Sequence, residues 1–379
     1  MEFIPAFDSS IILYLFIAFA VFASIQLLYV LFVHARLAFY RMDKQPVNSD
    51  MPPVTIIIAA RNESDNLFKH LPIILEQNYP QYEVIVVNHQ SMDDSNYILN
   101  AFQMEYSYLK VVNVEKNPHL LTGKKLPLTL GVKAAKYEHL VFTDADCLPK
   151  SNLWLQKMVE KFTDKKSIVL GYGPYEEKKG MLNKIIRFDT VFIALNYFAF
   201  ALSKMPYMGV GRNLAYTKEV FNSVKGFKSH YSILSGDDDL FIQETAKNKN
   251  YSIQLDEDSF CFSEPETTWK SWLQQKSRHY STSVRYKVIN KVLLGIYPLS
   301  LLFFWISFVI LMFDSEYRWI TLAYFGLVVV VKWWIQGRCM LKLKAKSFIP
   351  FLPFLDLFYA ILIPSIYYAT EKSTNSKWK

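Results

Sequence analysis

Two aspartates, Asp144 and Asp146, are separated by one residue and directly follow a short apolar segment, "HLVF". Two hard carboxylate oxygens on one loop suit Mg²⁺ or Mn²⁺, because these ions bind through few carboxylates and take their remaining ligands from water and phosphate. An Asp-x-Asp tripeptide alone is equally compatible with a surface turn of solvated acids. The buried strand predicted before the pair favours a metal site, which a nucleotide diphosphate would complete.

A second acidic cluster, Asp237, Asp238 and Asp239, precedes a helical pattern in "SGDDDLFIQE". These carboxylates are compatible with helix N-terminal charges that the helix dipole favours. The other interpretation is that one of them, Asp237 or Asp238, is a general base. Crowded like charges and partial burial would raise its pKa, and it would remove a proton from an acceptor hydroxyl. The cluster alone leaves both interpretations open.

A third segment, residues 267–291, combines aromatic and basic residues at helical spacing. It predicts an amphipathic interfacial helix, with Trp269 and Trp272 among lipid headgroups and cations such as Lys276 near lipid phosphate. Arg278 and His279 could at the same time face the active site and neutralise a diphosphate leaving group.

The elements that must position these residues are short apolar runs alternating with helical patterns. The predicted strands are 54–60, 83–88, 109–114 and 139–146, and the predicted helices are 64–77, 93–106 and 124–136. Strands that are apolar throughout and alternate with helices predict an α/β fold with a doubly wound, mainly parallel sheet. Ligands of such sheets bind beyond the carboxyl ends of the strands. The loops "ARNES", "NHQSMDD" and "DADC" are therefore expected at the site.

Long apolar segments at both ends of the chain predict transmembrane helices. Residues 11–33 and 292–313 carry no charge, and 319–335 is broken only by Lys332. Residues 348–369 contain Asp356 and three prolines, and either span fully or form a hairpin or re-entrant segment broken near Pro364, which we favour. A signal peptide is disfavoured, because Glu2 and Asp8 replace a basic N-terminal region.

The net charge of +8 is spread along the chain, and much of it flanks the predicted spans. Membrane lipids explain this distribution better than nucleic acid does. The flanking basic residues place 36–291 on the cytoplasmic side of a cell membrane. Three widely spaced cysteines indicate a reducing compartment rather than disulfides or zinc. The predicted organisation is an N-terminal transmembrane helix (1–35), a linker (36–52), a cytoplasmic catalytic domain (53–266), an interfacial helix (267–291), a C-terminal membrane region (292–370) and a basic tail (371–379).

In this order, the motifs resemble those of the family 2 glycosyltransferases, inverting enzymes with the GT-A fold. The likeness covers roughly Pro53 to Arg278: "TDADCLP" is similar to the metal and diphosphate motif, "GDDDLF" to the catalytic Asp motif, and "QKSRH" to the Gln-x-x-Arg-Trp motif of membrane-embedded members. The resemblance implies Asp237 or Asp238 as base, with Gln275, Arg278 and His279 beside it. It also implies a nucleotide-sugar site made of Ala60, Arg61, Glu63, Asn88, Ser91, Lys124, Lys125 and Asp144.

Two departures from the family pattern affect these expectations. The second strand ends in Asn88 and His89, where the family commonly has a pair of aspartates, so the nucleotide is not fixed by this position. We weigh a partly buried loop histidine equally with a binding role for His89. His279 replaces the Trp of the last motif, which makes a processive polymerase less expected.

The resulting prediction is a membrane-bound, hexosyltransferase-type enzyme that moves a sugar from a nucleotide-diphosphate sugar to a lipid-linked or glycan acceptor. The apolar stretch 181–207 is either a core helix or an interfacial helix that admits a lipid-linked acceptor. The alternatives are a processive polysaccharide synthase, an inactive nucleotide-binding relative, and a polytopic transporter or scaffold. The sequence does not indicate an oligomeric state.

Overall fold

A computed structural model describes residues 9–42, 51–115 and 123–370. The chain forms two compact units. Of the described residues, one unit contains 9–40 and 287–369, and the other contains 41–286. The predicted basic tail (371–379) and residues 43–50 of the predicted linker lie outside the described residues.

The helices are α1 (Ser9–Tyr29), α2 (Ala35–Ala38), α3 (Ser64–Leu75), α4 (Ser95–Glu105), α5 (Lys125–Ala134), α6 (Trp154–Val159), α7 (Met181–Leu202), α8 (Lys218–Ser223), α9 (Asp239–Thr245), α10 (Trp269–Ser283), α11 (Val288–Leu311), α12 (Arg318–Lys342) and α13 (Leu352–Thr370). The strands are β1 (Val54–Ala60), β2 (Tyr82–His89), β3 (Leu109–Val114), β4 (His139–Asp144), β5 (Cys147–Pro149), β6 (Ile168–Leu170), β7 (Leu214–Thr217), β8 (Tyr251–Ile253) and β9 (Cys261–Ser263). A π-helical turn, Val30–His34, joins α1 to α2.

The 41–286 unit is built on a seven-stranded sheet with the order β3-β2-β1-β4-β7-β6-β8. The first four strands along the chain are mutually parallel, and β7 is antiparallel to β4 and β6. The predicted mainly parallel α/β fold is confirmed. The chain runs from β1 outward to β2 and β3 and then returns to the other side of β1, so the strand order reverses between β1 and β4.

The helices cover this sheet because their apolar residues recur at helical spacing. Leu67, Leu71 and Ile74 of α3 are buried in the main core, as their spacing predicts. On α5, Gly131 permits close approach to the sheet, since a Cβ there would lie 2.6 Å from Cγ2 of Ile57. Burial of every residue of β1 explains its uniformly apolar sequence.

Helix α7 is a core helix of the 41–286 unit. Of the two predictions for residues 181–207, a core helix or an interfacial helix, the structure has the first. Most of its side chains are buried, including Asp189, which pairs with Lys276 of α10. Its composition alone would let it cross a membrane. The ion pair shows how a charged residue is accommodated within an otherwise apolar helix.

Helix α10 packs against protein, which corrects part of the interfacial prediction. Trp272 is 1% exposed and Lys276 is 4% exposed, so neither is available to lipid headgroups. Trp269, one turn earlier, is exposed. An amphipathic pattern marks the apolar face of a helix, but it does not distinguish a protein core from a lipid surface.

The other unit consists of long apolar helices. By length and composition, four segments of its described residues could cross a membrane: Ser9–Ala38, Val288–Leu311, Arg318–Lys342 and Lys346–Ile366. Lys332 is paired with Asp356 at 2.8 Å, and the hydroxyl of Tyr297 donates to the same carboxylate. Because α13 continues through Pro364 to Thr370, the predicted break near this proline is wrong.

Candidate active site

The candidate site is formed where the parallel strands end at one edge of the sheet. Ala60 at the end of β1 is level with Asn88 of β2, and the preceding Ala59 is level with Asp144 at the end of β4. The reversal of strand order falls between β1 and β4, which is where sheets of this type leave a crevice for ligands.

Asp144 and Asp146 lie close together, with Cys147 beside them. One ligand atom from each of the three residues falls within 4.8 Å of the others. Burial, and then the charge of Asp144, raises the pKa of Asp146. Burial raises the pKa of the Cys147 thiol, which donates to Oδ1 of Asp146 at 3.3 Å. The thiol therefore orients a carboxylate, and the two hard carboxylates fit Mg²⁺ or Mn²⁺.

The two adjacent lysines have different surroundings. Nζ of Lys124 lies 2.7 Å from Oδ2 of Asp144, and although burial opposes its charge, Asp144, Asp237 and Asp146 raise its pKa. Nζ of Lys125 instead donates to three backbone carbonyls within residues 230–235, at 2.6–2.8 Å. Lys124 is thus the lysine that faces the acidic groups. We expected either lysine to contact the nucleotide, and the geometry assigns Lys125 to holding the loop that precedes Asp237.

The acidic cluster contains three carboxylates with different environments. Asp239 is buried, and its Oδ2 accepts from Thr282 at 2.5 Å and from Tyr286 at 2.6 Å. Asp238 accepts from the backbone N–H groups of Gly211 and Asp239, at 2.9 and 2.8 Å. Burial, followed by repulsion from Asp237 and Asp239, raises the pKa of Asp238 to about 7.

Asp237 is the carboxylate of the cluster that its neighbours constrain least. It is partly exposed, as is Asp238, but Asp238 accepts two hydrogen bonds, whereas Asp237 accepts none from the described residues. Its charge acts on Lys124, as do those of Asp144 and Asp146. The structure therefore brings the two acidic motifs together around one ammonium group.

Residues of the "QKSRH" motif lie near the same centre. Tyr175 donates to Oε1 of Gln275 at 3.3 Å. The side chain of His279 is partly accessible to solvent. The many protein atoms around the imidazole, and then the charges of Arg278, Lys276, Arg212 and Lys124, lower its pKa well below the usual value. His279 thus lies close enough to Lys124 and Arg212 for their charges to act on it.

The loops after β1 and β2 are joined by reciprocal hydrogen bonds. The N–H of Asn62 donates to Oγ of Ser91 at 2.9 Å, and the N–H of Met92 donates to Oδ1 of Asn62 at 2.8 Å. Asn62 adopts a φ of 53°, a left-handed conformation that asparagine tolerates. These bonds hold the segment containing Arg61 and Glu63 against the end of β2.

Asn88 and His89 both belong to β2. Nδ2 of Asn88 donates to Asn113 at 3.0 Å, and Oδ1 has no donor in the described part of the chain. His89 is fully buried at the end of the strand, which corrects the expectation of a partly buried loop histidine. Burial, and then the charge of Arg61, lowers the pKa of His89 to about 4, so its imidazole is neutral at pH 7.

A turn that the motifs did not indicate, Gly211–Asn213, completes the site. The N–H of Gly211 binds Asp238, and the guanidinium of Arg212 interacts with the charges of Asp144 and Asp146. Asn213 is fully buried and anchors the turn to Trp154 and two backbone carbonyls. The only sequence signal was an arginine between small and polar residues immediately before a strand.

Comparison with known proteins identifies the class of this site. Residues 15–379 match the family model described as glycosyl transferase family 21. The predicted glycosyltransferase activity is therefore confirmed. The matching model is that of family 21, and the closer likeness to family 2 and the inverting stereochemistry remain predictions.

Individual relatives cover parts of the chain. A probable glycosyltransferase of Bacillus subtilis, YdaM, is 25% identical over 240 residues, which are 60% of this chain and 54% of that protein. A poly-beta-1,6-N-acetyl-D-glucosamine synthase of Staphylococcus epidermidis is 30% identical over 134 residues, or 35% of this chain and 31% of the synthase. The chain thus spans about half of the first relative and a third of the second.

The fold also matches a solved enzyme over almost its whole length. The mannosyltransferase PcManGT of Pyrobaculum calidifontis, determined with GDP-Man and Mn²⁺, aligns with a TM-score of 0.55 and 18% identity, covering 92% of this chain and 98% of that one. The similarity supports the GT-A-like fold, which positions the acidic residues described above.

Proposed function

The chain belongs to glycosyl transferase family 21, and we propose that it transfers a hexose from a nucleotide-diphosphate sugar, with inversion, to a hydroxyl group of a lipid-linked acceptor. The observation that most strongly supports this proposal is that the carboxylates of Asp144, Asp146 and Asp237 all lie close enough to Lys124 for their charges to act on it. The arrangement combines a candidate metal site, an open carboxylate and a cation in one crevice. Inverting transfer can use these groups, because a base activates the acceptor while cations offset the charge that develops on the leaving diphosphate.

In this proposal, Asp237 is the general base. It is less constrained by hydrogen bonds than Asp238 or Asp239, so it can approach an acceptor hydroxyl and take its proton. Lys124 and Arg278 neutralise charge on the departing nucleotide diphosphate. Gln275 and His279 flank this region and orient the acceptor.

Asp144 and Asp146 would hold a divalent ion, Mg²⁺ or Mn²⁺, which when bound would offset negative charge on the diphosphate. Their carboxylate donors suit either ion. The Mn²⁺ recorded with the mannosyltransferase of the same fold supports metal use.

The donor nucleoside is proposed to lie at the ends of β1 and β2. Ala60, Arg61, Glu63 and Ser91 surround this position, and the buried acceptor Oδ1 of Asn88 is available there to a base or ribose donor. The mannosyltransferase PcManGT was determined with GDP-Man, so a nucleotide-diphosphate sugar is bound by at least one protein of similar fold.

A membrane location is proposed from the apolar helices and the flanking basic residues. The long helices of the unit formed by 9–40 and 287–369 are long enough to cross a bilayer. The distribution of lysine and arginine favours a cytoplasmic position for the catalytic unit at a cell membrane. An enzyme anchored in this way can reach an acceptor that is itself held in the membrane.

The test is release of nucleoside diphosphate by the purified full-length chain across a panel of nucleotide sugars and membrane lipid extracts. We expect release with one donor class, loss of release with chelator, and recovery with Mn²⁺ or Mg²⁺. Asp144→Asn should abolish turnover, whereas the exposed control Asp164→Asn should retain it. No release with any donor would contradict the proposal and favour a transporter or an inactive nucleotide-binding protein.

A processive polysaccharide synthase is the second candidate, because the synthase of S. epidermidis matches a third of the chain. Product length separates the two functions. Single-sugar products would support one transfer per acceptor, and a ladder of longer products would support the polymerase.

A further inference from the structure

Arg212 is held in one orientation by its neighbours. Its Nε donates to the carbonyl oxygen of Gly173 at 2.8 Å and its Nη2 to the same oxygen at 2.5 Å, and the guanidinium lies 4.8 Å from the ring centre of Tyr175. A Cβ on Gly173 would collide with the arginine side chain, so glycine is required for this approach. The side chain is therefore fixed before any substrate binds.

These contacts use only one edge of the guanidinium. An arginine has five N–H groups arranged as a planar fork. The two hydrogen bonds to Gly173 use two of them and leave three N–H groups without an acceptor among the described residues. Although burial opposes its charge, Tyr175, Cys147 and Asp144 raise the pKa of Arg212, so the cation is permanent. A fixed cation with a free planar edge is suited to an oxyanion with two oxygens in reach.

The strand register places this cation on the side of the metal site opposite the proposed nucleoside position. Strands β4 and β7 are antiparallel, and Phe142 is level with Leu214. The turn Gly211–Asn213 directly precedes β7, so Arg212 lies beside the end of β4, where its charge acts on Asp144 and Asp146. Across the sheet edge the order is then Asn88, Ala60, Asp144 and Arg212.

We infer that Arg212 binds the β-phosphate of the donor's diphosphate, an inference that rests on the proposed function. A donor whose nucleoside lies over Asn88 and Ala60 extends its phosphates toward Asp144, and the phosphate farthest from the nucleoside reaches Arg212. The same phosphate carries the bond that breaks during transfer. Arg212 would thus take up charge on the leaving group, together with Lys124 and Arg278.

The assignment predicts selectivity for diphosphate over monophosphate. Binding of UDP, GDP, UMP and GMP to the purified full-length chain is measured by calorimetry in the presence of MnCl₂. For the diphosphate that binds the wild type, Arg212→Gln should weaken binding by about tenfold or more, with less than threefold change for the matching monophosphate. Arg212→Lys keeps the charge and loses the planar fork of N–H groups, so its affinity for the diphosphate should lie between those of the wild type and Arg212→Gln.

If Arg212 had a purely structural role, Arg212→Gln would weaken the binding of diphosphate and monophosphate equally. Equal weakening, or no change in either affinity, would overturn the inference. Arg187→Gln is the matched control, because Arg187, on α7, pairs with Glu177 and is not part of the proposed site. It should leave both affinities unchanged. If the wild type binds neither diphosphate, the proposed function itself fails and this inference fails with it. If Arg212→Gln does not fold, the diphosphate-to-monophosphate ratio of Arg212→Lys decides the result.

Discussion

The hydroxyl of Tyr286 donates to Oδ2 of Asp239 at 2.6 Å, which joins the acidic cluster to the segment that follows α10. Thr282, near the end of α10, donates to the same oxygen at 2.5 Å. The helix containing Arg278 and the loop containing Asp237 are therefore fixed to one buried carboxylate. Asp239 positions the other residues and does not itself face the substrate.

Removing this link should lower both stability and turnover. Tyr286→Phe deletes a hydrogen bond to a buried carboxylate, for which we expect a loss of about 1.5–3 kcal/mol in the free energy of unfolding. We also expect turnover to fall about three- to tenfold, because Asp237 and Arg278 lose a shared anchor. Tyr251→Phe is the control, since Tyr251 donates to the carbonyl of Ala201 on α7. It should reduce thermal stability without changing turnover, and an equal fall in turnover would contradict the positioning role.

Replacing Asp237 by asparagine should lower turnover much more than replacing Asp238 does. Asp237→Asn removes the proposed base, so turnover should fall about 10²–10⁴-fold with little change in donor affinity. Asp238→Asn retains one acceptor for the N–H of Gly211 or Asp239, and turnover should fall no more than about tenfold. Steady-state kinetics with donor and acceptor varied separately measure this difference. The reverse order of effects would assign the base to Asp238.

The raised pKa of Asp238 predicts a pH dependence of stability. This carboxyl titrates near 3.8 when unfolded and near 7 in the folded chain, because burial and its neighbours Asp237 and Asp239 disfavour the charge. Between these values the unfolded state binds fewer protons, so this group makes the folded chain less stable as pH rises toward 7, and its effect is constant above 7. Although Lys125 is bonded to backbone carbonyls, it and Tyr286 lie close enough to the cluster for their charges to change the magnitude of this effect.

The measurement is thermal unfolding of the wild type and Asp238→Asn from pH 5 to 9. The stability of the wild type relative to the variant should fall up to about pH 7 and then stay level. A difference that is independent of pH would show that Asp238 ionises at its ordinary pKa.

The sequence predicted those parts of the site that depend on local patterns. An apolar run followed by Asp144 and Asp146 predicts a buried strand ending in carboxylates, and the structure has this arrangement at β4. The first four strands were found because each is apolar and each is followed by polar residues. Strands β5, β6, β8 and β9, of three residues each, give too short a pattern to separate from loops.

The sequence could not predict contacts between distant segments. Arg212 lies in no recognisable motif, and only the pairing of β4 with β7 brings it to Asp144. Lys124 and Lys125 are adjacent and chemically identical, yet one faces the acidic groups and the other holds a loop more than a hundred residues away in sequence. Trp272 satisfied a pattern typical of lipid contact, whereas the surface it covers is protein.

The ion pair between Asp189 of α7 and Lys276 of α10 gives a last prediction, on stability. Both side chains are almost fully buried, and the ammonium of Lys276 lies 6.0 Å from the ring centres of Trp272 and Tyr280. Asp189→Ala would leave a buried ammonium without its carboxylate, so we expect a loss of about 3–5 kcal/mol. The double variant Asp189→Leu with Lys276→Met replaces the pair by apolar groups and should recover most of that loss. As a control, Lys178→Met removes solvent-exposed pairs with Glu176 and Glu264 and should change stability by less than about 1 kcal/mol. Thermal unfolding of the full-length chain measures all three variants, and a double variant no more stable than Asp189→Ala would show that the helices require the charges themselves to pack together.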